Sequence, residues 1–354
     1  MAENSEISWT DNTWNPWIGC TKVSAGCKNC YAERDFDKRR HVVEWGKGNP
    51  RKRTTDAYWK QPLAWNRKAE KEGTRPRVFC ASLADWLDPE VPIEWFMDLM
   101  GLIAVTPNLD WLLLTKRPEH FDSRMGDAFF EWAKTSPQKT PAHYMCYDWR
   151  IRRVAPANVW IGTTVENQKA TDRIPHLLSI PARVRFLSCE PLLGPVDISS
   201  WIAKALPYLT KQNFEAATAR NRFVIDVESI KDQMMCNLGI DWVICGGESG
   251  PNARPMHPDW ARDLRDQCAA AGVAFHFKQW GEWAPGECAQ HAPTKTERTA
   301  TWFDDKWIYE EVSVEGSEEM HCDDEPDVYR LGVKNAGRLL DGREWNELPK
   351  APRP

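Results

Sequence analysis

Three cysteines, Cys20, Cys27 and Cys30, fall within eleven positions of the stretch NPWIGCTKVSAGCKNCYAER, residues 15–34. Their spacing is C-x6-C-x2-C, with Gly19 and Gly26 directly before the first two thiols. Thiolates are soft ligands that suit zinc or iron–sulfur clusters. Free cysteines more often lie singly in apolar cores, the place expected for Cys80, Cys189 and Cys245. A structural zinc site needs a fourth ligand. His41 and Cys80 are the candidates, and neither has the short paired spacing of zinc modules. A four-iron cluster held by three thiolates leaves one iron open to a substrate or cofactor, as a catalytic metal keeps one position open.

A second set of reactive groups follows short apolar runs at 77–82, 111–115, 159–165, 184–190, 241–248 and 273–279. The run ends carry Ser82 and Asp85; Thr115, Lys116 and Arg117; Thr163, Thr164 and Glu166; Ser188 and Glu190; Gly246, Gly247 and Glu248; Lys278 and Gln279. In parallel α/β folds, ligands and catalytic groups gather at such carboxyl ends. Glu190 and Glu248 follow buried runs directly, with Lys116 and Lys278 able to offset their charge. The glycines of GGESG (246–250) also fit a tight strand-to-helix turn.

The elements that must position these groups read as strands alternating with helices. PIEWFMDLMGLIAV follows the first run, ATDRIPHLLSI the third, and HPDWARDLRDQCAAAG the fifth, with Asp259 expected to cap and Gly272 to end the last helix. Continuous apolar strands between helices predict a parallel sheet covered on both faces. One more strand is expected near SWTDNTWNPWIG. The fold class is α/β, a full or partial parallel β/α (TIM-like) barrel, with an open doubly wound sheet as the competitor. The barrel is expected over residues 1–290, with helical insertions near 120–157 and 198–240. Residues 291–354 read as an irregular, acidic C-terminal extension packed on it.

Composition narrows the class. The chain has 354 residues, 42% hydrophobic, and no run long enough to span a bilayer. Its polar, acidic start lacks the pattern of a signal peptide, so a cytoplasmic protein without a membrane is expected and the eleven cysteines are not a disulfide framework. A net charge of −5 argues against bulk electrostatic binding of nucleic acid. The charge is uneven: residues 34–60 are basic and 304–327 acidic. Lys38, Arg39, Arg40, Arg51, Lys52 and Arg53 form a candidate phosphate-holding rim beside the cysteine loop.

The cysteine stretch resembles the cluster loop of radical S-adenosylmethionine (SAM) enzymes, especially the spore photoproduct lyase-like branch with its NPY-x-GC…GC-x-x-CYA pattern. The wider chain is similar to an uncharacterised phage and bacterial three-cysteine-motif family. The segments that carry this are LDWLLLTKRPEHF, VWIGTTVENQKATDRIP, RFLSCEPLLGPVDI, DWVICGGESGPNARPMHPDWARDLRDQC, FHFKQWGEW and AGRLLDGREWNELP. Three features depart from the radical SAM pattern. The first cysteine gap is six rather than three, Asn29 stands where an aromatic is common, and Gly246–Gly247–Glu248 comes late in the strand order for a SAM amino-group motif.

The resemblance implies an enzyme in which Cys20, Cys27 and Cys30 hold a 4Fe-4S cluster and SAM binds its open iron. Cleavage of SAM would give a deoxyadenosyl radical, with electrons from a donor such as a flavodoxin or ferredoxin. It further implies cofactor contacts from Tyr31, Ser82, Gly246, Gly247 and Glu248, and catalytic roles for Glu190, Glu166, Lys116 and Lys278. A nucleic-acid base or nucleotide is the implied target, in DNA or RNA modification or repair, and a base in a duplex must be extruded into such a pocket. Two other readings stand beside it: a zinc- or cluster-stabilised nucleic-acid-binding protein, and a hydrolase or transferase working through the strand-end carboxylates.

Overall fold

The computed structural model describes residues 5–135, 140–202, 239–288, 296–313 and 326–350. Seven parallel strands form one sheet: β1 (Asn12–Thr13), β2 (Arg77–Cys80), β3 (Asp110–Thr115), β4 (Val159–Thr164), β5 (Val184–Cys189), β6 (Trp242–Gly246) and β7 (Ala274–Gln279). They are hydrogen-bonded in chain order, β1 to β7. All six expected runs are strands, and β1 is the strand expected from SWTDNTWNPWIG.

Strand alternation sorts the side chains onto two faces. Val78, Cys80, Trp111, Leu113, Ile161, Leu187, Cys189, Val243, Cys245, Phe275 and Phe277 face the helices. Phe79, Leu112, Trp160, Phe186, Trp242 and Ile244 face the opposite way, around Trp9. Both faces are buried, which is why the strands read as continuous apolar runs. Bulk fits tightly inside: a Cβ on Gly162 would lie 2.3 Å from the Phe186 ring.

The sheet is a half-barrel rather than a closed TIM barrel, because β1 and β7 do not pair. Two features account for the open seam. β1 has only two residues to offer. The free edge of β7 is already occupied: Phe277 N–H donates to Trp345 O (2.9 Å), Glu347 N–H to Phe275 O (3.2 Å), and Phe275 N–H to the Glu347 carboxylate (3.0 Å). A covered edge cannot recruit another strand. At the foot of the seam, Ser8 Oγ and His276 Nε2 stand 2.8 Å apart.

Helices α1 (Gln61–Glu72), α2 (Ile93–Ala104), α3 (Phe121–Thr135), α4 (Pro141–Arg150), α5 (Ile174–Ser179) and α6 (Pro258–Ala271) accompany the sheet. The insertion expected near 120–157 is α3 and α4. Their Phe121, Met125, Trp132 and Trp149 join the core that α2 buries. α6 ends at Gly272 (φ +63°) as expected. Its start differs: Pro258 takes the first turn, and His257, not Asp259, is the cap, its Nδ1 accepting from Asp259 N–H at 3.1 Å. The 198–240 insertion opens with a short helix, Ser199–Ile202, and the expectation for 203–238 lies outside the described residues.

Part of the C-terminal extension is regular, which the sequence reading did not expect. β8 (Thr296–Phe303) and β9 (Lys306–Ser313) form an antiparallel hairpin, and β10 (Val328–Tyr329) adds to β8. The turn is Asp304–Asp305 with φ of +51° and +57°, a two-residue connection with both residues left-handed. Acidic residues at exposed positions such as Glu310 and Glu311 hid the strand from a reading based on hydrophobicity. The hairpin rests on α6 through Trp302 and Trp307, 4.9 and 5.8 Å from the Trp260 ring.

Candidate functional site

Strand alternation selects the groups that line the mouth. Beyond inner-facing Leu112 and Leu114, the next position of that parity is Lys116. Beyond Trp160 and Gly162 come Thr164 and Glu166; beyond Phe186 come Ser188 and Glu190; beyond Ile244 come Gly246 and Glu248; beyond His276 comes Lys278. Eight of the residues expected to converge at the strand ends are thus set there by one periodicity.

The cysteine loop is held over this mouth. It leaves the sheet through Trp17–Ile18, which pairs antiparallel with Lys52–Arg53. Gly19 N–H bonds Leu83 O at 3.1 Å with φ +113°, a conformation that favours glycine. Ala25–Cys27 is a single 3-10 turn, and Cys30 precedes a helical run from Tyr31 to Arg39. Three anchors tie the loop down. Gly26 N–H reaches Glu166 Oε1 at 3.3 Å. Asn29 Nδ2 donates to Glu248 Oε2 at 2.9 Å and to Asn252 O at 2.7 Å. Arg117 donates to Asp85 Oδ2 (2.9 Å), Thr21 O (2.6 Å) and Cys20 Sγ (3.5 Å). Tyr31 adds a bond from its hydroxyl to Ser82 O at 2.6 Å, and Ser82 Oγ meets Asn15 at 3.0 Å.

All three thiols are free and half-buried. Burial pushes the Cys20 thiol up to about 12, against the opposing charge of Arg117. Burial also raises Cys30, while the N–H groups of Glu33 and Ala32 and the Lys116 ammonium oppose it. The donors around these sulfurs are therefore ones that favour thiolate. Cys27 lies 4.0 Å from Ser24 Oγ. Among the described residues, no group of three or more His, Cys, Asp or Glu side chains stands close enough to hold a metal ion. The donor set fits a soft metal centre by type and access. Neither expected fourth ligand completes it: Cys80 is fully buried on the helix-facing side of β2, and His41 is exposed.

The carboxylates differ from expectation. Glu166 is nearly fully buried and paired with Arg173 at 2.7 Å. Burial alone would raise its pKa, but Arg173 and Ser24 outweigh burial and hold it below the usual carboxylate range. Glu248 receives Arg254 through Nε (2.9 Å), Nη2 (2.7 Å) and the backbone N–H (2.8 Å). Burial is again outweighed, by Arg254 and Asn29, and the net shift is downward. A carboxylate saturated in this way is a poor proton carrier. Glu166 accepts from Arg173 and from Gly26 of the loop, and Glu248 from Arg254 and Asn29. Glu190 and Lys278 form a half-buried pair at 2.5 Å. Lys116 keeps its ammonium free of ion pairs among the described residues, while its N–H bonds Asp85 at 2.9 Å.

One of the two GGE glycines, Gly247, has a packing reason. A Cβ on Gly247 would sit 1.8 Å from Trp280 O, and one on Gly281 2.2 Å from Glu248 O. The exits of β6 and β7 are in backbone contact there. Gly246 has room, with Glu190 at 3.5 Å.

The basic rim is largely committed elsewhere. Arg51 is buried and bonded to Asp88 (2.9 Å) and Glu90 (2.5 Å), so it is not a phosphate ligand. Arg53 pairs with Asp98 at 2.9 Å and lies 3.9 Å over the Trp59 ring. Lys38 pairs with Asp37 at 3.2 Å, and Arg40 lies 5.2 Å over Phe36. Arg39 and Lys52 are exposed. Residues that sequence reasoning passed over include Asn29, Arg254 and Arg173. Asn29 carried a signal, since a polar residue replaced an expected aromatic. The two arginines carried none.

The family described as "Protein of unknown function (DUF5131)" matches residues 4–349, and the chain belongs to that family. No curated protein and no solved structure matches.

Proposed function

We propose that this DUF5131 member is a radical SAM-like iron–sulfur enzyme whose chemistry takes place at the mouth of the half-barrel. The observation that carries this reading is the placement of three free, half-buried thiols on one loop, anchored to Glu166, Glu248 and Arg117 directly over the strand ends. Cys20, Cys27 and Cys30 would hold the cluster. A four-iron cluster with one open iron supplies reductive cleavage of SAM and hydrogen abstraction from a substrate. The chain's own part is positional. Arg117 and the N–H groups of Ala32 and Glu33 stabilise negative sulfur. Gly26 lets the loop approach Glu166, where a Cβ would lie 3.3 Å from its carboxyl carbon. Lys116, Glu190 and Lys278 remain to meet ligand groups.

The saturated carboxylates weigh against a hydrolase or transferase that needs a free base there. Burial of Arg51 and pairing of Arg53 weigh against the 34–60 stretch as a nucleic-acid surface. Electrons would come from a flavodoxin- or ferredoxin-type donor. No helix among the described residues is long and apolar enough to cross a membrane, and a cytoplasmic location fits this chemistry.

The test is anaerobic reconstitution with iron and sulfide, reduction in the presence of SAM, and quantification of deoxyadenosine. Wild type is expected to form it and Cys27→Ala to lose it. A reduced, iron-loaded wild type that never cleaves SAM would overturn the proposal.

A further inference from the structure

We infer that the floor of the mouth is an oxyanion site, formed by Lys116, Thr164 and Ser188, that takes the phosphate group of a phosphorylated substrate. The inference extends the proposed function by naming a substrate class, and binding at this floor stands whether or not the thiols take iron.

The register places the three residues in one row. Thr115 pairs with Thr163, so Lys116 follows beside Thr164. Thr164 pairs directly with Ser188. All three share the inward parity of Leu112, Trp160 and Phe186. Adjacent strands lie about 4.8 Å apart, so the row spans about 10 Å of floor.

Two of the groups are without partners among the described residues. Thr164 is fully buried, and its Oγ1 has no hydrogen-bond partner. A buried hydroxyl in that state is costly unless something arrives to bond it. The Lys116 ammonium is half-buried and makes no ion pair among the described residues.

Charge points the same way. The mouth carboxylates are each matched by one cation: Glu166 by Arg173, Glu248 by Arg254, Glu190 by Lys278 and Asp85 by Arg117. Those pairs are neutral as units, and Lys116, whose ammonium also acts on the Cys30 sulfur, is in none of them. A cation outside any ion pair beside an unbonded hydroxyl favours an anionic group. Three donors in a row match the three terminal oxygens of a phosphate better than the two of a carboxylate, and lysine serves as a point-charge partner for phosphate. Phosphates also commonly bind at the carboxyl ends of parallel strands.

The test is equilibrium binding of adenosine monophosphate, adenosine and inorganic phosphate to wild type, Lys116→Gln and Thr164→Val. Adenosine monophosphate is expected to bind at least about tenfold more tightly than adenosine, inorganic phosphate to compete, and each substitution to remove about tenfold of that preference. Lys116 is half-exposed, so Lys116→Gln remains informative even if Thr164→Val disturbs packing. Equal affinities for the nucleotide and the nucleoside, or unchanged phosphate binding in Lys116→Gln, would overturn the inference. Phosphate binding retained by Cys27→Ala, which loses SAM cleavage, separates this site from the cluster. SAM cleavage without phosphate selectivity would sink the floor site and leave the proposed function standing.

Discussion

Replacing Arg117 by methionine removes a buried anchor of the cysteine loop. The Arg117 and Asp85 side chains are 5% and 6% exposed, so the Asp85 charge would stay in the interior without its cation. Breaking a buried pair from one side costs about 3–5 kcal/mol. Asp85 keeps bonds from Thr115 Oγ1 (2.6 Å), Lys116 N–H (2.9 Å) and Leu87 N–H (3.0 Å), which places the cost near the lower end, about 3 kcal/mol. Asp85→Asn combined with Arg117→Met should recover about 1–2 kcal/mol, because the stranded charge is gone. Urea unfolding measures both. Hydrogen exchange at the Gly26 amide reads the loop directly, since that N–H is held by Glu166 only while the loop is seated. Arg117→Met should speed this exchange by at least about tenfold. A loss below about 1 kcal/mol, or unchanged exchange at Gly26, would refute the claim that Arg117 fastens the cysteine loop to the sheet.

Gly247→Ala should destabilise by about 3 kcal/mol or more, because its Cβ would meet Trp280 O at 1.8 Å; thermal unfolding checks this, and a shift under a few degrees contradicts it. Burial, with Arg338, Arg77 and Lys278 nearby, lowers the His276 pKa from 6.5 to about 4. Between those values the unfolded chain binds the extra proton, so stability should fall on acidification from about pH 6.5 towards 4, by about 3 kcal/mol. His276→Gln should flatten that slope in denaturation curves taken across the window. Glu166 and Glu248 have lowered pKa values, so their contribution is present above the ordinary carboxylate pKa and fades as pH falls below about 4.5. Glu248→Gln should weaken this acid-side loss and loosen residues 25–30 to proteolysis. Arg51→Met should lower stability without changing the salt dependence of any nucleic-acid binding, because its guanidinium is buried on Asp88 and Glu90.

The strands were legible because burial on both faces leaves an apolar run whatever the partner. The mouth was legible for the same reason: once Leu112, Trp160 and Phe186 face inward, period two carries Lys116, Thr164, Ser188 and Glu190 to one side. What the sequence hid depends on contacts distant along the chain. Asn29 meets Glu248 across 219 positions, and no local pattern announces it. The open seam was hidden because Trp345–Glu347, which covers β7, has no strand-like alternation of its own. The C-terminal hairpin was hidden by charge: Lys306, Glu310 and Glu311 lie on exposed positions of β9 and read as a solvated acidic stretch. Glu166 read as catalytic and Glu248 as a cofactor contact because strand ends often carry such groups, and only the geometry shows that each is paired, with Arg173 and Arg254.

The central claim is that Cys20, Cys27 and Cys30 gather around iron. Iron, sulfide and zinc should be quantified in protein purified without oxygen, with electron paramagnetic resonance after reduction, for wild type and for each cysteine replaced by serine. The account predicts about four irons per chain, a reduced-cluster signal, and loss of both in all three variants. Zinc at one equivalent, or iron that survives replacement of any one cysteine, would contradict it.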